Sequence, residues 1–385
     1  MTNKNVKNSS KAPNDYSAKI KVIGIGGGGG NAVSRMRDNV GIKGIEFIAI
    51  NTDAQDLDYC NAKTKIYIGK NLTRGLGTGM NPDIGRQAAE ENRSDIVESL
   101  KGADLVFITA GLGGGTGSGA SVVVAEAAKE IGALTVAVVT KPFLFEGAQR
   151  SRIATEALVK LKDKVDTLIV IPNDRIFSII QKDTPIIKAF EHVDGVLMNA
   201  VQGIAELIAM PGIINVDFAD VKAIMQDAGQ ALIGIGTGSG QDRAINAVTQ
   251  AVSSPLVEVS IDGAKGVLFG IAGGRDLKMN EINEVAKVIA ENVDPAAKII
   301  FGAYHDRKIK NGRIKITLIA AGFNGHVIKD HDSVGPTLFG GLPSINEQSN
   351  QGEKEIKKEK KEKSKDFKEK DSDIWDIPTF LRKKK

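Results

Sequence analysis

Apolar and polar residues follow two patterns in turn along the first half of the chain. Short apolar runs, typical of buried strands, alternate with longer stretches in which apolar residues recur every three or four positions, as on one face of a helix. The pattern predicts strands over 20–25, 45–50, 65–68, 104–110, 134–140 and 167–171, with helices near 31–39, 82–100, 120–128 and 148–162. This alternation is typical of an α/β fold with a doubly wound parallel sheet.

A long helix is predicted next, over 184–210, because its apolar residues recur in steps of three or four. Pro211-Gly212 ends it. A second, smaller unit then follows, with helices over 218–228, 242–253 and 279–291 and strands over 232–235, 265–272, 298–304 and 313–320. We place the domain boundary near Pro211, which predicts one domain over 19–210, including the long helix, and another over 211–322.

The two ends of the chain lack this periodicity. Residues 1–18 are polar, without the apolar core of a signal peptide, and are predicted to be a disordered extension. Residues 323–373 are predicted to be a disordered linker, because over 347–373 nine lysines balance nine acids and few apolar residues remain to form a core. The chain closes with the apolar and basic segment 374–385, which holds its only tryptophan.

Charge and composition exclude several classes of protein. The ends 1–19 and 374–385 carry +3 each and 347–373 carries none, so residues 20–346 hold −2 of the total of +4. A globular part without net positive charge argues against a nucleic-acid partner. No apolar run approaches the roughly 18 residues of a membrane helix. The single cysteine, Cys60, permits no internal disulfide and favours the cytoplasm, and the four histidines have no metal-ligand spacing.

Two strand–glycine–helix turns indicate a ligand. Gly24–Asn31 contains five consecutive glycines, and Gly111–Gly119 contains six glycines in nine residues. Each turn places free backbone N–H groups at a helix N-terminus, where the helix dipole favours an anion, and glycine lets phosphate oxygens approach the backbone. The hydroxyl groups of Thr116 and Ser118 would add donors. Two such turns on one sheet predict a site for an extended polyphosphate.

The residues of these turns leave the class of nucleotide open. The first turn matches GxGxxG, and Asp53 after the second strand is consistent with a dinucleotide-binding Rossmann site. A tight structural turn is the alternative interpretation of either loop by itself. The chain contains no GxxxxGK[ST], which excludes a P-loop NTPase.

Further motifs accompany the loops in a fixed order: Asn51–Gln55 (NTDAQ), Phe145–Gly147 followed by Arg150, Pro172–Asp174, and Asn215–Asp220 (NVDFAD). Together with GGGTGSG at 113–119, which is similar to the tubulin signature, this set resembles FtsZ, the family of bacterial cell-division tubulin homologues. The resemblance covers residues 19–322 and the extreme C-terminus. It implies a Rossmann-like, parallel-sheet GTPase domain joined by the long central helix to a smaller α/β activation domain, with GTP as substrate and Mg²⁺ bound with the nucleotide.

The resemblance also implies the nucleotide contacts. They fall on Gly27, Gly28, Gly29, Gly30 and Asn31, on Gly115, Thr116 and Gly117, on Glu146 and Arg150 for the ribose and phosphates, and on Asn173, Phe190 and Asp194 for guanine. An aspartate accepts both N1–H and the 2-amino group of guanine, whereas adenine offers no such pair of donors. Phe190 can lie against the purine face.

Several of these residues have a structural interpretation as well. Phe190 lies on the apolar stripe of the long helix and would then be a core residue, while Asp194 would be a solvated position of that helix. Glu146 and Arg150 would be an ordinary ion pair at a helix start. Without the family resemblance, each structural interpretation is the stronger one.

The segment Asn215–Asp220 combines an amide with two acids. From the residues alone it is the start of a helix, with Asp217 as N-cap. The resemblance implies instead that this loop enters the nucleotide site of the next subunit in a head-to-tail homopolymer. There Asn215, Asp217 and Asp220 would position and polarise the attacking water, while Mg²⁺ and the loop amides take up phosphate charge.

The last twelve residues resemble the partner-binding peptide of the family, whose core here comprises Asp376, Ile377, Pro378, Phe380, Leu381 and Arg382. A frayed terminus without a partner is the alternative. The resemblance implies FtsA-like or other membrane-bound adaptors as partners, an indirect membrane association, and a cytoplasmic location at the division site.

Three classes of function are therefore compared. A polymerising GTPase explains both glycine loops, the acidic loop and the tail. A nicotinamide-dependent dehydrogenase explains only the first glycine loop, and a non-catalytic nucleotide-binding scaffold has no need of Asp217 and Asp220. We adopt the first.

Overall fold

The computed structural model describes residues 18–39, 44–181, 183–254, 260–306 and 308–323. The predicted extension 1–18 up to residue 17, the predicted linker 323–373 from residue 324 onward, and the predicted segment 374–385, including Asp376–Arg382, lie outside the described residues. The strands are β1 (Ile20–Ile25), β2 (Ile45–Asn51), β3 (Thr64–Tyr67), β4 (Leu105–Gly111), β5 (Leu134–Lys141), β6 (Thr167–Pro172), β7 (Gly229–Ser239), β8 (Gly266–Gly273), β9 (Lys298–His305) and β10 (Arg313–Ala321).

Helices connect most of these strands. They are α1 (Gly26–Asn39), α2 (Ala54–Tyr59), α3 (Lys70–Thr73), α4 (Pro82–Glu91), α5 (Arg93–Leu100), α6 (Gly115–Glu130), α7 (Ala148–Lys162), α8 (Ile186–Ala209), α9 (Phe218–Met225), α10 (Arg243–Val252) and α11 (Met279–Glu291). Two short 3₁₀ segments, Leu144–Glu146 and Asn173–Ser178, follow β5 and β6. None of the helices in the described ranges is long and apolar enough to cross a membrane.

All ten of these strands join one sheet in the order β3-β2-β1-β4-β5-β6-β7-β10-β8-β9. The strands from β3 to β7 run parallel, and β10 is antiparallel to its neighbours β7 and β8. The α/β class and the parallel sheet predicted from the sequence are confirmed. The expected helix over 82–100 is wrong in one respect, because it breaks at Asn92 between α4 and α5. The Asn92 side chain accepts a hydrogen bond from the Gly69 N–H, at 3.0 Å.

Alternating residues of each strand face opposite layers of helices. In β1, Val22 belongs to a core shared with α1, α8 and α9, whereas Ile23 belongs to a core shared with α4, α5, α6 and α7. In β4, Phe107 and Ile108 divide in the same way. Helices on both faces explain why these strands are apolar throughout rather than alternately polar.

Helix α8 is the element that both halves of the sheet share. Its apolar side packs in one core with Ile171 of β6 and with Leu268 and Ile319 of β8 and β10. The backbone of Gly203 lies so close to β10 that a Cβ atom there would come within 2.5 Å of Thr317 Cγ2. With 24 residues, α8 spans about 36 Å. It therefore separates the residues at its start from the loop after its end.

Candidate functional site

A cavity of about 390 Å³ opens where the carboxyl ends of β1, β4, β5 and β6 meet the N-terminal ends of α1 and α6. Ten of the thirteen predicted nucleotide contacts line it: Gly27, Gly28, Gly115, Thr116, Gly117, Glu146, Arg150, Asn173, Phe190 and Asp194. These residues come from five separate stretches of the chain. The crevice beyond the carboxyl ends of the strands is the usual ligand position in an open parallel sheet.

The first glycine loop is itself the start of a helix. Helix α1 begins at Gly26 and not near Asn31, so the prediction of a loop followed by a helix is wrong here. Gly27 and Gly28 face the cavity. Gly29 is packed inward, where a Cβ atom would lie 2.4 Å from the carbonyl oxygen of Thr109. Gly29, Gly30 and Asn31 are not among the residues that line the cavity.

The second loop uses glycine for two different purposes. A Cβ atom on Gly115 would lie 2.1 Å from Thr78 Oγ1, so this glycine permits close packing, whereas Gly114 has nothing within 4 Å of its Cβ position and borders the cavity. The Thr116 hydroxyl lies 2.7 Å from that of Thr52. The Ser118 hydroxyl accepts a hydrogen bond from the Gly113 N–H at 2.9 Å. Ser118 therefore shapes the loop, and it is not among the residues that line the cavity.

The wall beside the loops combines positive and negative groups. The N-terminal ends of α1 and α6 both border the cavity, so two helix dipoles favour an anion there. Arg150 Nη1 lies 2.7 Å from Glu146 Oε2, and Glu146 Oε1 accepts a hydrogen bond from the Phe143 N–H at 3.0 Å. The predicted ion pair exists, and both partners also line the cavity.

The opposite wall is formed by α8. Phe190, Val193, Asp194 and Leu197 follow one another at helical spacing and all line the cavity. Phe190 is 41% exposed, so the alternative of a core phenylalanine is wrong. The Asp194 side chain is only 14% exposed, so it is not a solvated position either.

Asn173 completes this wall at the end of β6. The residue is buried, and its Oδ1 atom has no hydrogen-bond partner. Leaving such a buried acceptor unpaired costs about 1–3 kcal/mol. A ligand that donates a hydrogen bond at this point would remove that cost.

Burial raises the pKa of Asp194 to about 6. Arg35 opposes this rise, because its Nε atom lies 2.9 Å from Asp194 Oδ2. Sequence patterns give no sign of Arg35, because it lies on α1, far from Asp194 in the chain. The carboxyl group of Asp194 consequently changes charge close to neutral pH.

Asp53, the acid that a dinucleotide site would use, is otherwise engaged. Its side chain caps α2 by accepting hydrogen bonds from the N–H groups of Gln55 and Asp56, at 3.0 and 3.1 Å. It does not line the cavity. Burial, with a contribution from Asp53, raises the pKa of the neighbouring Asp56.

The residues Asn215, Asp217 and Asp220 are not part of this cavity. They lie beyond the C-terminal end of α8, and Phe190 is 19 residues, or about 29 Å, from that end. Asn215 Oδ1 accepts a hydrogen bond from the Gly212 N–H at 2.6 Å, which shapes the turn. Asp217 stands at the N-cap position of α9, but its side chain makes no capping hydrogen bond.

Comparison with known proteins agrees with this architecture. The sequence matches the Tubulin/FtsZ family, GTPase domain, over residues 19–181 and the FtsZ family, C-terminal domain, over residues 229–324. Among solved structures, an empty FtsZ dimer from M. jannaschii is 49% identical, with a TM-score of 0.77. That similarity covers 80% of this chain and 89% of the other.

A more distant likeness shows the fold alone. CetZ2 from Haloferax volcanii, solved as a GTPγS-bound protofilament, is 20% identical, with a TM-score of 0.67. It covers 78% of this chain and 92% of the other.

The two kinds of glycine in the second loop can be separated by mutation. A Cβ atom on Gly119 would lie 2.0 Å from the carbonyl oxygen of Pro82, so Gly119→Ala should lower the free energy of unfolding by about 2 kcal/mol or more. Gly114→Ala should change it by less than about 0.5 kcal/mol, because the site is open and its φ of −92° suits alanine. Urea unfolding of both variants measures this. Equal free energies of unfolding for the two variants would contradict the distinction between a packed glycine and an open one.

Proposed function

The chain belongs to the FtsZ family of tubulin-like GTPases, and we propose that it assembles head to tail into filaments of the division ring and hydrolyses GTP between subunits. The observation that carries this proposal is the separation along α8. The cavity with its glycine loops lies at the start of that helix, and the loop with Asn215, Asp217 and Asp220 follows its end. A chain with half a site at each end requires a second copy to complete it.

The cavity suits GTP. Its volume of about 390 Å³ lies within the range of about 300–1,000 Å³ that is usual for ligand pockets. The N-terminal ends of α1 and α6 would bind the phosphates, and Phe190 would lie against the purine. Asp194 and the unpaired Asn173 Oδ1 are acceptors on the same side, where guanine and ribose present donors.

Mg²⁺ would bind with the nucleotide rather than in a site built by the protein alone. No group of three or more His, Cys, Asp or Glu residues suited to a metal ion occurs within the described part of the chain. Mg²⁺ usually keeps several waters and takes phosphate oxygens as ligands. When bound, the ion would neutralise charge on the phosphates.

Hydrolysis would use two acids of the neighbouring subunit, the exposed Asp217 and the half-buried Asp220. Asp217 has no capping hydrogen bond to hold it, so its carboxylate is available to accept one from water. Asp220 lies in the first turn of the same helix. The two carboxylates would orient a water for attack on the γ-phosphorus, which yields GDP and phosphate. Asn215 would contribute mainly by holding the loop through its bond to Gly212.

The competing functions make different demands. A dehydrogenase would use Asp53 for a ribose, but Asp53 is committed to the cap of α2. A non-catalytic scaffold would bind GTP in this cavity without turnover. GTP-dependent sedimentation with concurrent measurement of phosphate release distinguishes the three.

GTP affinity should fall as the pH falls through about 6. Guanine donors require the ionised form of Asp194, and with a pKa of about 6 the ionised fraction drops from about nine-tenths at pH 7 to about one-tenth at pH 5. The dissociation constant should therefore rise about tenfold, or about 1.4 kcal/mol. Equilibrium titration below the assembly threshold measures it.

Asp194→Asn supplies the control for this prediction. Phosphate groups also titrate near pH 6, so part of the pH dependence belongs to the nucleotide itself. The amide that this substitution introduces does not titrate. The variant should therefore keep only the pH dependence that comes from the nucleotide. Identical pH profiles for the wild-type chain and the variant would show that Asp194 does not contact the base.

Turnover should be restored when two inactive variants are mixed. Asp217→Ala should bind GTP without hydrolysing it, and Asp194→Ala should bind GTP poorly, because two guanine donors would lose their acceptor. In mixed filaments some interfaces pair an intact loop with an intact cavity. Phosphate release above that of either variant alone supports hydrolysis in trans. Release that increases linearly with protein concentration, without a threshold, would argue against it.

The tail would connect such filaments to the membrane. By family resemblance, Asp376–Arg382 would bind FtsA-like or other membrane-bound adaptors, placing the cytoplasmic filament at the division site. Removal of residues 374–385 should leave GTP-dependent filaments intact and abolish their flotation with adaptor-coated vesicles. Undiminished flotation of the truncated chain would refute this role.

A further inference from the structure

A second cavity of about 390 Å³ lies beside the first and shares Phe190 with it. We call it the aromatic cavity. It is lined by Phe143, Phe145, Phe177, Ile180, Gln181, Thr184, Ile186, Ala189 and Phe190. Its walls come from the two 3₁₀ segments after β5 and β6 and from the first turn of α8. The proposed function gives this cavity no role.

The surface around the aromatic cavity is unusually apolar. Among the described residues, fifteen large apolar side chains are exposed, and seven of them fall in the three segments 144–146, 173–179 and 186–190: Leu144, Phe145, Phe177, Ile179, Ile186, Ile187 and Phe190. A concentration of exposed apolar residues on one part of a surface marks an interaction site. Scattered single residues would need no such explanation.

The aromatic cavity is held open by ring packing. Phe143 is buried at its base, with the ring of Phe145 stacked on it at 4.9 Å. Phe177 and Phe190 contact the same ring with centroid distances of 5.5 Å, tilted and edge-on respectively. The N–H of Leu144 also donates to the Asp174 carboxylate, which joins the two 3₁₀ segments. A preformed cavity of this kind costs little to occupy.

A matching apolar side chain stands beyond the other end of α8. Ile213 is 70% exposed, although its backbone is fixed. The N–H groups of Ile213 and Ile214 donate to the carbonyl oxygen of Ala303 on β9, at 2.7 and 3.1 Å. The Ala303 N–H donates back to Ile214 at 3.0 Å, and Val216 is buried beside this bridge. The loop therefore presents Ile213 on a rigid support.

We infer that Ile213 of one chain inserts into the aromatic cavity of the next chain in the filament. This inference rests on the proposed head-to-tail assembly. A chain cannot fill its own cavity, because Ile186 and Ala209 at the two ends of α8 are about 35 Å apart. A second copy stacked head to tail brings the loop and the cavity together.

Chain geometry agrees with this contact. Ile213 is four residues from Asp217, so the two can be at most about 14 Å apart. The two cavities of the receiving chain share a wall at Phe190. When the acids reach the nucleotide, Ile213 therefore falls within reach of the adjoining aromatic cavity. It positions the loop without touching the nucleotide.

Cysteine cross-linking tests this contact directly. Cys60 is the only cysteine of the chain and is buried, so an introduced pair can be read without interference. The variant carrying Ile213→Cys and Thr184→Cys should give a GTP-dependent ladder of disulfide-linked oligomers, because each chain bonds to the next. Ile213→Cys combined with Val159→Cys, an exposed position on α7, should give no ladder.

Substitution of Ile213 tests how much this contact contributes to assembly. Ile213→Ser should raise the concentration needed for assembly by about tenfold or more, because the buried side chain is lost from every interface. GTP affinity of the unassembled chain should be unchanged. Met279→Ser removes an equally exposed apolar side chain elsewhere and should assemble normally.

The outcomes separate this inference from the proposed function. Wild-type filaments that hydrolyse GTP, with no ladder and with normal assembly of Ile213→Ser, would refute the inference and leave the function standing. Absence of GTP-dependent assembly in the wild-type chain would refute the function itself.

Discussion

Backbone contact between the two glycine loops is the constraint on which the rest of the site depends. A Cβ atom on Gly26, whose φ is +68°, would lie 3.1 Å from the Gly117 nitrogen of the second loop, and one on Gly28 would lie 3.4 Å from the Gly111 nitrogen. Glycine at these positions lets the two backbones meet without strain. Because the loops meet, α1 and α6 direct their free N–H groups into one cavity instead of two. Other glycines of the loops pack against neighbouring segments, as Gly115 does against Thr78 and Gly119 against Pro82. The shape of the cavity follows from this packing.

Helix α8 connects this cavity with the acidic loop at its other end. Its first turns supply Phe190 and Asp194 to the cavity, and its end positions the loop that carries Asp217. Its apolar side packs against both halves of the sheet. The distance between the cavity and the loop is therefore fixed. A single helix thereby fixes the positions of the cavity wall and of the acidic loop.

The strands and the α/β class could be predicted because each strand is a continuous apolar run, and both loops could be found because glycine is so concentrated there. Other features depend on partners distant in sequence. Arg35 meets Asp194 only in the folded chain, and the roles of Gly29 and Ser118 follow from neighbouring backbone. At the break between α4 and α5, the side chain of Asn92 accepts a hydrogen bond from the distant Gly69 N–H. The exposure of Phe190 could not be predicted from its place on the apolar stripe of α8. Periodicity identifies which residues share one face of a helix, but it does not show whether other elements cover that face.

The placement of the cavity and the acidic loop at opposite ends of α8 has an arithmetic consequence. In the proposed filament every chain contributes one cavity and one loop, yet one terminal chain always keeps an uncovered cavity and the other an unused loop. The number of complete sites is therefore always one fewer than the number of chains. Short oligomers are poor catalysts per chain for this reason, and the chain with the uncovered cavity is the one whose nucleotide can exchange with solution.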